Sequence, residues 1–151
     1  ASNRDGLSPL SAAAVNGQFS YDFEKWAEVI GVLPGGEQDI AANAFALYGL
    51  KNAKEISGKK GKAIRAELDM HGLLTKDDPP VFLYASAKKT DAADYNHYLH
   101  HPRHSIAVRE KCRLLGIECT ILLKAEDPTL SGAIVSEKML AFFFKHLKIS
   151  N

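Results

Sequence analysis

The strongest constraint on the fold is a pair of short, mainly apolar runs that flank one helical segment. Residues 81–85 (VFLYA) follow the helix-breaking sequence 76–80 (KDDPP), and residues 117–123 (IECTILL) follow Gly116. Such runs are typical of strands buried on both faces. Residues 105–115 between them have apolar side chains at helical spacing, and Gly116 suits the position after a helix. The order strand, helix, strand predicts an α/β fold with parallel strands and a right-handed crossover.

The first half of the chain adds a further strand and several helices. Residues 10–15 (LSAAAV) form a short apolar run that ends at Asn16-Gly17, which predicts a buried strand followed by a turn. Residues 51–62 are polar and rich in Gly and Lys, including 59–62 (KKGK), and predict a solvated surface loop. Apolar residues at helical spacing predict helices over 23–30, 37–50, 63–74 and 135–147.

The predicted strands are too few for a complete parallel sheet. Strands over 81–85 and 117–123 would each need covering layers on both faces, and a sheet of three strands leaves its edges open. We therefore expect this chain to form part of a larger sheet. Another segment, a partner chain or self-association would complete that sheet.

The composition excludes several other classes of protein. Hydrophobic residues make up 46% of the 151 residues and charged residues 25%, which is typical of globular domains and not of disordered or fibrous chains. Lys plus Arg number 19 and Asp plus Glu 18, so the excess basic charge used to bind nucleic acid is absent. Apolar runs such as 139–144 are too short to span a bilayer. We expect neither a nucleic acid nor a membrane as partner.

The second half of the chain carries a series of motifs in a recognisable order. They are DDPPVFLYAS, KKTDAAD, HSIAVREKCRLLGIEC, TILL and EKMLAFFFKHL. In this order they resemble the C-terminal part of the α/β-hydrolase fold, in its esterase and dienelactone-hydrolase-like branches. The resemblance implies the C-terminal part of a doubly wound parallel sheet with a helical cap segment. It divides the chain into a strand and entry over 1–22, a cap-like segment over 23–76 and the C-terminal βαβα part of the core over 77–151.

The resemblance places the catalytic machinery only partly on this chain. The nucleophile of the fold lies in a Gly-x-Ser-x-Gly elbow, which this sequence lacks, so the serine is expected on an N-terminal half. The triad acid is expected after 81–85, where Asp91 and Asp94 are the candidates; both could instead be solvated loop carboxylates. The triad histidine is expected after Leu123, but 124–132 contain none. Either another imidazole replaces it, or the protein is catalytically inactive, which the sequence favours.

A cluster of histidines could supply the imidazole that is missing after Leu123. His97, His100, His101 and His104 account for four of the six histidines. On one continuous helix their spacing would place all four on one face, and with Asp94 a turn earlier they would form a transition-metal site. Pro102 argues against such a helix and favours one that begins at Pro102. His100 and His101 would then lie at the helix entry, facing the carboxyl ends of the strands, where ligands bind in α/β sheets. Structural roles for these histidines are the remaining alternative.

Two aromatic residues and two cysteines have competing interpretations. The resemblance places Tyr21 and Trp26 at the root of the cap, where they would line the substrate pocket, although core packing is the commoner role of such a pair.

Cys112 and Cys119 are too few for a disulfide framework and are expected to be small core residues. No cofactor is expected.

Two functional hypotheses follow. In the first, the chain is one part of a split carboxylic-ester hydrolase and supplies the acid loop, the cap and an imidazole. In the second, it is an inactive hydrolase-like protein that binds a small ester or carboxylate. The resemblance also favours a secreted or periplasmic location, since related proteins are often exported.

Overall fold

A computed structural model describes residues 8–31, 44–88 and 94–147. Its sheet has three strands, β1 (Ala12–Val15), β2 (Val81–Ala85) and β3 (Cys119–Leu123), in the order β1-β2-β3. Both pairings are parallel, with Val15 opposite Tyr84 and Tyr84 opposite Leu122. The predicted α/β class and the parallel direction of the strands are therefore confirmed.

Short helices connect these strands, and two longer helices follow β2 and β3. Residues 44–47 are also helical, and short 3-10 helices cover Phe23–Lys25 and Ala53–Glu55. The α-helices are α1 (Trp26–Ile30), α2 (Lys59–Leu68), α3 (Met70–Leu73), α4 (Tyr95–Leu99), α5 (Pro102–Leu115) and α6 (Gly132–Leu147). Within the described residues, no helix is long and apolar enough to cross a membrane.

Helices α5 and α6 cover opposite faces of the sheet. The thiol of Cys112 in α5 interacts with that of Cys119, which shares a sheet face with its partner Val81. The ring of Phe142 in α6 lies 5.7 Å from that of Phe82, the next residue along β2. Successive side chains of a strand point to opposite faces, so the two helices form a layer on each side. The central strand β2 is buried from Phe82 to Ala85, as predicted.

The prediction that the first strand is buried was wrong. Ala12 and Ala13 are exposed, and Val15 is 51% exposed. Among the described residues β1 pairs only with β2, so it forms one edge of the sheet. The prediction that 117–123 is a fully buried strand was also wrong. Strand β3 begins at Cys119 and forms the other edge of the sheet among the described residues, so it is only half-buried except at Leu123, which is buried.

The predicted loop over 51–62 was also wrong in part. Helix α2 begins at Lys59 and includes the lysine-rich run. Within it, Gly61 packs directly against the carbonyl of Ile56, where no larger side chain fits. The helix expected over 63–74 is divided at Asp69, which separates α2 from α3.

Residues 37–43 of the predicted second helix lie outside the described residues. Helix α5 begins at Pro102 and is followed by Gly116 at φ 74°, both as predicted.

A buried polar network attaches the cap-like segment to the chain that follows β1. Ser20 donates a hydrogen bond of 2.9 Å to Asp69, and Lys25 forms an ion pair with the same carboxylate. Burial opposes ionisation of Asp69, but the hydrogen bonds from Lys25 and Ser20 prevail and lower its pKa. Arg65 of α2 forms ion pairs with Asp22 and Glu24. The network holds α2 and α3 against the residues that lead into α1.

Candidate functional site

A polar cavity of about 220 Å³ lies at the carboxyl ends of β1 and β2. This end of a parallel sheet is where α/β proteins bind their ligands. Asn16 follows β1 directly, and Ser86 follows β2. Helix α4 and the residue after it supply much of the remaining wall. The lining residues are Asn16, Ser86, Ala87, Asp94, Asn96, His97 and His100.

Asn16 organises this end of the sheet through its main chain and its side chain. Its N–H donates to the carbonyl of Tyr84 at 2.8 Å, and its Oδ1 accepts from the N–H of Ser86 at 2.7 Å. Its φ of 52° lies in the left-handed region, which Asn tolerates better than most residues. Sequence reasoning did not select Asn16 or Ser86 as site residues. The available signal was the Asn-Gly turn directly after a strand.

His100 is held in the cavity by a single defined contact. Its Nδ1 lies 3.1 Å from the main-chain oxygen of Asn16. A carbonyl oxygen only accepts hydrogen bonds, so Nδ1 carries the proton and donates it. In the neutral ring this leaves the lone pair on Nε2. The same proton arrangement, with Nδ1–H held by an acceptor, orients the histidine of a catalytic triad.

His101 does not share this environment, although it is the next residue. It is 1% exposed, and its Nδ1 accepts from the N–H of Arg103 at 3.1 Å, which caps the start of α5. Its ring stacks on that of His97 at 5.4 Å. His101 is not among the cavity-lining residues. The structure therefore gives His101 a capping role and places only His100 of the predicted pair in the cavity.

His104 is a buried core residue. It is fully buried, its Nε2 donates to the carbonyl of Tyr98 at 3.1 Å, and its Nδ1 accepts from the N–H of Phe19 at 3.4 Å. Burial, together with the nearby His101 and His100, lowers its pKa to about 4. Both ring nitrogens are occupied by the backbone, so His104 does not join the other histidines as a metal ligand. No group of three or more His, Cys, Asp or Glu that could hold a metal ion occurs in the described part of the chain.

Of the two candidate triad acids, the structure describes only Asp94. Asp91 lies outside the described residues. Asp94 lines the cavity and caps the start of α4, where its Oδ1 accepts from the N–H of His97 at 2.8 Å. Asp94 and His100 therefore line the same cavity, and the observed hydrogen bond of the Asp94 carboxylate is that of a helix cap.

Neither of the predicted substrate-binding aromatics lines the cavity. Trp26 is 1% exposed, donates from Nε1 to the carbonyl of Ser20 at 2.8 Å, and packs edge-on against His104 at 4.6 Å. The burial of Trp26 agrees with the core-packing interpretation of this residue, and its predicted contact with substrate stays a prediction. Tyr21 is 37% exposed and its hydroxyl donates to Gln18 at 3.2 Å.

Comparison with known proteins assigns no family, because no family model, curated protein or solved structure matches this chain. The chemistry of the cavity is therefore the basis for assigning a function to this chain.

Proposed function

We propose that this chain supplies the C-terminal part of the active site of an α/β-hydrolase-like carboxylic-ester hydrolase, with His100 as the general base. The contact between His100 Nδ1 and the Asn16 carbonyl carries the proposal. It fixes the proton on Nδ1, so Nε2 is the atom that exchanges a proton with substrate and nucleophile. Helices on both faces of the parallel sheet and Asp94 in the cavity wall are consistent with it.

The proposed reaction is acyl transfer to a serine that lies on the N-terminal half. Nε2 of His100 takes the proton of the serine hydroxyl while its oxygen attacks the ester carbonyl. The tetrahedral intermediate collapses as the bond to the alcohol breaks, and His100 returns the proton to that alcohol. Water then repeats the sequence, which releases the carboxylic acid. The N-terminal half also supplies the donors that stabilise the oxyanion.

The edge strand β1 supports the existence of a completing half. Among the described residues its outer edge has no paired strand. Residues 8–20 around it contain no charged side chain. Charged residues are one of the features that protect exposed sheet edges from further pairing. Their absence around β1 leaves this edge able to pair with another strand.

An inactive binding protein is the second candidate. Residues 124–131, which follow β3, contain no histidine where the hydrolase resemblance expects one. The Oδ1 atom of Asp94 is also bound by the N–H of His97. In this case the same cavity binds a small ester or carboxylate without turnover.

Ester hydrolysis by the native assembly tests the proposal. The protein is purified through a tag on this chain under mild conditions, so that any polypeptide paired with β1 is retained. We expect turnover of p-nitrophenyl acetate and butyrate, and a fall in kcat/KM of roughly 10²–10⁴-fold in His100→Ala, the usual contribution of general-base catalysis. His146→Gln, a histidine of α6 outside the cavity, is the matched control and retains the wild-type rate.

Two results would contradict the proposal. Equal rates for the wild type and His100→Ala would remove His100 from the chemistry. Wild-type turnover no faster than the buffer control would leave the binding protein as the supported function. Labelling by a fluorophosphonate of a serine in a co-purified polypeptide would independently locate the nucleophile.

A further inference from the structure

The cavity wall that this chain contributes is polar over most of its area. Ala87 is the only lining residue with a purely apolar side chain. The others carry amide, hydroxyl, imidazole or carboxylate groups. A long alkyl chain placed against them would remove water from these groups and offer no hydrogen bonds in return, which weakens binding.

The position of His100 tells which part of the substrate this wall contacts. In the proposed reaction His100 returns its proton to the departing alcohol, so that alcohol lies next to His100. Asn96, Ser86 and Asp94 line the same cavity, so in this reaction they are the side chains available to contact the alcohol. These residues combine amide and hydroxyl donors with a carboxylate acceptor, which suits an alcohol that bears several hydroxyl groups.

Charge and size restrict the alcohol further. Asp94 in the wall opposes an anionic alcohol moiety. The part of the cavity that this chain forms has a volume of about 220 Å³, and the proposed N-terminal half forms the rest of the pocket. A single polar ring fits the part that this chain forms better than an extended chain does.

We infer that the substrate is an ester of a small, neutral, polyhydroxylated alcohol, of the chemical class of an acylated monosaccharide. The inference rests on the proposed function and specifies the leaving-group side of the same site. It assigns Asn96, on α4, as a specificity-determining residue through hydrogen bonds to the hydroxyl groups of the alcohol. A site that hydrogen-bonds substrate hydroxyls discriminates strongly against analogues without them.

A matched pair of acetate esters tests this inference on the native assembly. Methyl glucopyranoside 6-acetate and cyclohexyl acetate share the acyl group and differ in the hydroxyl groups of the alcohol. We expect kcat/KM to be at least tenfold higher for the sugar ester. Asn96→Leu should reduce that ratio by at least fivefold through a larger KM for the sugar ester, while Asn96→Gln restores part of it. A general loss of structure would instead lower the rates of both esters together.

The outcomes separate the inference from the proposed function. Equal or faster turnover of cyclohexyl acetate that still depends on His100 overturns the inference and leaves the hydrolase proposal in place. Turnover of neither ester overturns the hydrolase proposal.

A binding measurement then tests the recognition of the alcohol without turnover. In NMR spectra of the full chain, methyl glucopyranoside should shift the side-chain amide signals of Asn96, and cyclohexanol should not. If neither compound shifts these signals, this independent measurement overturns the inference.

Discussion

The Nδ1 atom of His100 lies 3.1 Å from the main-chain oxygen of Asn16, a residue 84 positions earlier in the chain. This contact joins the end of strand β1 to the first residue after α4. Asn16 also bonds to Tyr84 and Ser86, so one residue connects both strand ends to the histidine. The orientation of the proposed base therefore depends on the backbone of a turn and on the pairing of β1 with β2.

Replacing Asn16 should destabilise the chain. Asn16→Ala removes the hydrogen bond to Ser86 and places a residue that disfavours positive φ at 52°. We expect a loss of about 1–3 kcal/mol in the free energy of unfolding, measured by urea denaturation followed by circular dichroism. Asn16→Gly tolerates the positive φ but also lacks the hydrogen bond to Ser86. Its stability should therefore lie between those of the wild type and Asn16→Ala. If Asn16→Ala is as stable as the wild type, the turn does not depend on this side chain.

His104 should make the fold sensitive to mild acid. Its folded-state pKa of about 4 is below the ordinary value of 6.5, because burial disfavours the charged ring. Between these values the unfolded chain binds more protons, so the stability is complete above pH 6.5 and falls as the pH decreases toward 4. The shift corresponds to about 3 kcal/mol. Burial also lowers the pKa of His71, which acts in the same direction.

The measurement compares urea unfolding of the wild type and His104→Gln at several pH values. Glutamine can replace the donor and the acceptor of the ring but does not titrate. We therefore expect a smaller loss of stability on acidification in the variant, although it is less stable at pH 7. Identical pH dependence in both proteins would show that His104 does not control acid unfolding.

Trp26 should behave as an enclosed core residue. It is the only tryptophan of the chain and is 1% exposed, so its fluorescence should be blue-shifted and weakly quenched by acrylamide in the folded state. Trp26→Ala should cost about 3–5 kcal/mol of stability, as large-to-small core substitutions do. The partly exposed Tyr21 provides the comparison, and Tyr21→Ala should cost much less. Strong quenching of the native protein would mean that the indole lies in an open pocket.

The two cysteines should be unreactive in the native state. Burial raises the pKa of Cys112, and burial together with the adjacent Cys112 raises the pKa of Cys119 to about 12. The thiolate is the reactive form, so iodoacetamide at pH 8 should modify the folded chain far more slowly than the unfolded chain. Mass spectrometry should find two alkyl groups after unfolding, one for each cysteine. Rapid native labelling of Cys119 would show that β3 opens to solvent.

The histidine tract shows how far local sequence carried the prediction. Pro102 correctly indicated where α5 begins, because proline suits the first turn and disrupts a helix interior. That boundary placed His100 and His101 at the helix entry, but it did not separate their roles. The different roles of His100 and His101 depend on contacts with other elements, because Asn16 at the end of β1 contacts His100 and His97 of α4 stacks on His101. His104 likewise depends on Phe19 from the first part of the chain.

Local patterning along the chain was enough to predict several of the secondary-structure elements. The apolar run of β2, the periodicity of α5 and the glycine after it are enough to predict a strand, a helix and a parallel connection. The exposure of β1 and the position of the cavity could not be predicted in this way, because both depend on which distant segments lie beside a strand. Burial is a property of neighbours, and the first strand lacks them on one edge within the described residues. The tautomer of His100 likewise depends on the fold, which brings the main-chain oxygen of Asn16 within hydrogen-bonding distance. Every residue carries such an oxygen, so the sequence does not show which one His100 contacts.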